Sequence, residues 1–200
     1  RRVGLRHSGH RDGGMSVEWL IIRGSGVVAF ALLSAATIWG LLVSTKLLGR
    51  LVRAKPLTWF HESLGIGALL ATLVHIGVLS VHDFLDFSWA EILVPGLSDW
   101  RPLAITAGIG AFYGLVLVST SFYFKRWIGQ KAWRAIHYAS FGVFVTSLLH
   151  GVWAGTDTAS PLMIGLYLGS AIVVFSLLAL RIVAETSAPR HPAKEPVGAG

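Results

Sequence analysis

Four histidines, His61, His75, His137 and His150, lie inside two otherwise apolar stretches, where histidine is the residue type able to bind a metal or relay a proton. The first two stand fourteen positions apart and the second two thirteen. Imidazole is costly to bury in hydrocarbon unless its nitrogens are used, so an intramembrane histidine is a functional candidate by default and a matched double pair a stronger one. Two such pairs at two depths suit two stacked haems. The chain has no cysteine, which excludes disulfides, iron–sulfur ligation, cysteine-based zinc sites and the attachment of a c-type haem.

The elements that must carry these residues are helices. The 200 residues are 54% hydrophobic and only 14% charged, with a mean hydropathy of +0.64, which places the chain among integral membrane proteins. Five apolar segments, 24–45, 59–82, 103–124, 133–154 and 161–183, are each long enough to cross about 30 Å of hydrocarbon. The expected fold is therefore all-α, a polytopic membrane bundle of five transmembrane helices spanning residues 24–183. It is flanked by an N-terminal segment, 1–23, and a disordered tail, 184–200, rich in proline. That tail, about 16 residues long, is far shorter than the roughly 100 that a nucleotide-binding domain needs.

Charge alternates between the connections. Lys46, Arg50, Arg53 and Lys55 follow the first segment, Asp83, Asp86, Glu91 and Asp99 the second, and Lys125, Arg126, Lys131 and Arg134 the third. The positive-inside rule places the basic connections and the C-terminus in the cytoplasm of a cell whose plasma (inner) membrane holds the chain, with a bacterial source expected. Arg1, Arg2, Arg6 and Arg11 conflict with an outside N-terminus, and a start at Met15 would remove most of that conflict. The net charge of +7 sits in short clusters beside apolar segments rather than in a stripe with interleaved aromatics, so it argues for topology and against nucleic-acid binding.

The second and fourth segments run in the same direction. His61 and His137 then lie near the cytoplasmic face, and His75 and His150 about 20 Å deeper at 1.5 Å rise per residue. Fourteen residues turn through about 1400°, only about 40° short of four full turns, so His61 and His75 share a helix face. Gly65, Ala68 and Thr72 lie between them; small side chains there leave room for a flat macrocycle or simply let helices approach. Thirteen residues place His150 about 140° from His137 around an ideal helix, so spacing alone does not close the second pair.

The pattern His61-x13-His75 with His137-x12-His150 resembles the ferric reductase-like transmembrane domain of NADPH oxidases, ferric reductases and the bacterial haem subunit of the methionine sulfoxide reductase system. Trp133-Arg-Ala-Ile-His137-Tyr138 and Leu149-His150-Gly-Val-Trp-Ala-Gly-Thr-Asp157 are also similar to bacterial members. The resemblance covers roughly residues 55–183. It implies two b haems, one between His61 and His137 and the other between His75 and His150. Two departures stand out: five helices where the family core usually has six, and no flavin or nicotinamide domain.

Several further residues have two readings each. Arg134, with Arg53 and Lys55, could meet haem propionates at the His61 level, or Arg134 could be an ordinary snorkelling arginine. Arg101 is the basic residue expected to meet propionates at the His75 level. His82, two turns beyond His75, could contact a propionate, a quinone or an electron acceptor, or be a plain interfacial histidine. Trp59, Trp89, Trp100, Trp127, Trp133 and Trp153 read as an aromatic belt, and Gly110 and Gly114 as a close helix contact. Gly24-Ser-Gly26 follows no strand and is no dinucleotide fingerprint.

The function expected from all this is a dihaem b-type cytochrome, the electron-transfer component of an oxidoreductase, embedded in membrane lipid. Electrons would enter from a flavoprotein subunit carrying FAD or FMN, a quinol, or another redox partner protein. The alternative is a structural or assembly subunit of a larger membrane redox complex.

Overall fold

A computed structural model describes residues 17–45, 54–81 and 87–187, with the side chains of 54–56 left aside. The described residues are all-α: α1 Val17–Ser44, α2 Ala54–Ser80, the short α3 Trp89–Leu93, α4 Pro102–Ala154 and α5 Pro161–Thr186. The four long helices are all apolar enough to cross a membrane.

Helix α4 resolves the expected third and fourth spans into one element. Its 53 residues would measure about 80 Å if straight, far more than one bilayer core. Instead the helix breaks at a single residue, Gly129, whose φ of 81° and ψ of 161° lie in a region essentially closed to residues with a Cβ. The two halves then fold back on one another, because the Arg101 guanidinium at the start of α4 donates to the Trp153 carbonyl at its end. The basic stretch Lys125–Lys131, expected as a loop, is helical on both sides of that one glycine.

Local sequence explains the other ends. Pro161 occupies the first turn of α5, where its missing N–H costs nothing, and the Ser160 hydroxyl accepts from the Met163 N–H. Ser88 and Glu91 form a reciprocal capping box on α3. Helix α1 begins at Val17, seven residues before the apolar segment, with Glu18 in its first turn favourably placed against the helix dipole.

Helix α1 packs chiefly along α2 and also touches α4 and α5. Phe30 is the pivot: its ring stacks on Phe144 at 6.0 Å and meets Tyr167 edge-on at 5.2 Å, joining α1, α4 and α5. A second cluster, Leu33, Ala68, Leu115 and Val143, brings α1, α2 and both halves of α4 together. The indole N–H of Trp39 donates to the Leu57 carbonyl at 2.9 Å, pinning α1 to the start of α2. Leu70, Leu73 and Val74 of α2 point outward, as expected where the solvent is lipid.

Candidate functional site

The bundle brings the four histidines together as two facing pairs. His61 of α2 and His137 of α4 have ring centroids 5.9 Å apart with planes at 73°, and His75 and His150 have centroids 6.4 Å apart at 79°. Thus the thirteen-residue pair closes against α2 as well as the fourteen-residue pair does, despite the 140° expected on an ideal helix.

Three of the imidazoles are held the same way. Nδ1 of His61 lies 3.0 Å from the Ala36 carbonyl, Nδ1 of His75 2.8 Å from the Ile22 carbonyl, and Nδ1 of His150 2.8 Å from the Ala104 carbonyl. A carbonyl can only accept, so Nδ1 must carry the proton and donate, which leaves Nε2 as a free lone pair. His137 is oriented differently: its ring stacks on Trp133, centroids 5.1 Å apart and planes at 21°. The carbonyl acceptors belong to α1 and the first half of α4, elements that carry none of the four histidines, and sequence spacing gave no hint of them.

The surroundings of the two pairs differ. At the His75 level a cavity of about 270 Å³ is lined by both histidines, Thr72, Phe112, Trp100 and Arg23. Arg23 forms an ion pair with Asp157, which also lines this cavity. It adds a second basic residue to this level beside the expected Arg101. Arg23 falls within 1–23, set apart as flanking sequence, yet its neighbour Ile22 is the acceptor for His75. Arg101 itself is occupied with the Trp153 carbonyl and rests over the Trp100 ring.

At the His61 level the cationic groups sit on aromatic faces. Lys125 Nζ lies 4.1 Å above the Trp133 ring, and the Arg181 guanidinium donates to the Tyr138 hydroxyl and the Glu185 carboxylate. The Trp133 indole N–H is buried and has no hydrogen-bond partner among the described residues. Arg134 is exposed near the start of the second half of α4. His82 and Arg53 lie outside the described residues, as does the Lys55 side chain.

Among the described residues no three histidines or carboxylates converge as ligands for a metal ion. What converges is two imidazoles, twice. Fold and site together define a polytopic all-α membrane protein with two stacked imidazole pairs.

The family model for the ferric reductase-like transmembrane component matches residues 25–148, more than half of the chain, and the chain belongs to that family. The match includes His61, His75 and His137 and closes two residues before His150. No curated protein and no solved structure gave a significant match.

Proposed function

We propose that the chain is a dihaem b-type cytochrome that carries electrons across a membrane, from a donor on the cytoplasmic side, a flavoprotein or a quinol, to an acceptor at the other face. The family supports membrane electron transfer in general. The observation that carries the finer reading is the geometry of the two pairs. An imidazole nitrogen bonds a metal at about 2 Å, so two rings could share one metal only if they stand a few ångströms apart with room between them. The pairs stand at 5.9 and 6.4 Å. A bare ion would need three or four protein ligands, whereas a metal already held in a macrocycle needs only these two.

In this reading His61 and His137 hold the cytoplasmic-side haem and His75 and His150 the other, the two levels about 20 Å apart along α2. Bound haem supplies the one-electron redox chemistry. The protein's share is to hold the rings and exclude competing ligands. Donation from Nδ1 to a backbone carbonyl fixes the tautomer and makes Nε2 a stronger ligand. Arg23, Trp133 and Lys125 offer cationic or N–H partners for propionates at their respective levels. Because Lys125, Arg126, Lys131, Arg134 and Arg181 gather at the His61 end, that end faces the cytoplasm.

A dithionite-reduced minus oxidised spectrum with haem quantitation on purified protein tests the reading. It should show b-type bands and two haems per chain. Protein saturated at one haem, or carrying none when expressed with haem in excess, would overturn it.

A further inference from the structure

We infer that Gly26, Gly40 and Gly108 are positioning residues that set the orientation of His75, His61 and His150, a role that rests on the haem reading proposed for those histidines. Each imidazole that donates to a helix carbonyl lies against a glycine. A Cβ at Gly26 would stand 3.2 Å from His75 Cε1 and Nδ1, and one at Gly40 would stand 3.1 Å from His61 Cε1. One at Gly108 would come within 2.5 Å of His150 Nδ1, the atom that carries the hydrogen bond.

The three contacts obey one rule. The acceptors are Ile22, Ala36 and Ala104, and in each case the glycine is the fourth residue onward, Gly26, Gly40 and Gly108. In an α-helix the carbonyl of residue n already accepts the N–H of residue n+4 and keeps a second lone pair. Side chains lean toward the helix N-terminus, so the side chain at n+4 lies over the turn that holds that carbonyl. Removing it opens the second lone pair to a neighbouring helix and leaves room for the ring. One glycine thus supplies both the approach and the orientation.

Sequence spacing makes the same point independently. Gly26 and Gly40 are fourteen positions apart on α1, as are His61 and His75 on α2, and the two helices run in opposite directions. The match holds both rings against α1 in a single register. A glycine whose purpose is only close helix packing would face a partner's backbone or aliphatic side chain, as Gly114 faces Val143. His137 provides the contrast within the molecule, since it lies against Trp133 instead.

The test is potentiometric titration and low-temperature electron paramagnetic resonance on the purified haem-loaded protein, whose low-spin ferric signals report axial-ring orientation. Wild type must first show two b haems; if it does not, the haem reading fails, and the glycines are not at issue. His61→Ala and His75→Ala assign each signal to its level. Gly40→Ala should then shift the signal and midpoint of the His61 haem alone, and Gly26→Ala those of the His75 haem alone. Gly108→Ala should shift the His75 haem most or release it, because its Cβ meets Nδ1 itself. Gly24→Ala, two residues from Gly26 with nothing within 4 Å, should leave both signals at wild-type positions.

The inference is overturned if both haems are present and Gly26→Ala and Gly40→Ala keep wild-type signals and midpoints. It is equally overturned if Gly24→Ala moves them as much, or if either α1 variant perturbs both haems alike. Should Gly108→Ala fail to fold, judged by circular dichroism and gel filtration, the two milder α1 variants decide.

Discussion

Each histidine of the four has one neighbour that decides what it can do. His75 donates through Nδ1 to Ile22 and faces His150 with Nε2 unspent. On the proposed dihaem reading, replacing His75 by Ala should lower haem content from two per chain to one and leave the His61 signal in place. Haem quantitation with resonance spectra checks this, and loss of both haems from folded protein would contradict the pairing. The histidine levels were legible in the sequence because spacing along one helix converts directly into depth and face. Their hydrogen-bond partners were not, since Ile22 lies 53 positions from His75 and Ala104 46 from His150. Nothing local marks such acceptors, because every residue has a carbonyl. Arg23 was overlooked for a related reason: a charge flanking an apolar run reads as topology until Asp157, far along the chain, is brought opposite it.

Helix count and position were readable from hydropathy, while helix continuity was not. The stretch between the third and fourth spans is charged and reads as a loop, yet helix persists to Gly129 and resumes at once beyond it. A positive φ with extended ψ is tolerated by glycine almost alone. Gly129→Ala should therefore destabilise the hairpin by about 1–3 kcal/mol, measured by thermal or denaturant unfolding in detergent. At the other end of the bundle, the Ser88 hydroxyl and backbone N–H hold the Glu91 carboxyl below its ordinary range. A depressed carboxyl contributes stability that is complete above its unfolded value and fades as pH falls through the folded one. Amide exchange over α3 should accordingly quicken on acidification below the usual carboxylate range, and Glu91→Gln should remove that pH dependence. Because its hydrogen bonds run to Ser88 within one capping box, the effect stays local to the short helix.

For the whole molecule, the asymmetry of charge predicts an orientation, and the absence of native cysteine makes it easy to read. Gln130 adjoins the basic hairpin turn and Thr156 lies at the opposite end, beside Asp157. In intact cells a membrane-impermeant maleimide should label Thr156→Cys from outside and reach Gln130→Cys only after lysis. The reverse pattern would invert the proposed direction of electron flow. Helix α2 and the second half of α4 carry the four histidines, and the first half of α4 folds back to support His150.

Helix α1 contributes no histidine, yet one of its carbonyls serves each level, Ile22 for His75 and Ala36 for His61. It works as a ruler laid along the ligand helix with two marks. A single residue inserted between the marks would rotate one of them by about 100° relative to the other, so α1 could then match either level but not both. Grafting a first helix from a relative onto this core, or splitting the chain after α1 and supplying that helix separately, must therefore preserve its length between the marks. Hydrophobicity alone would not suffice.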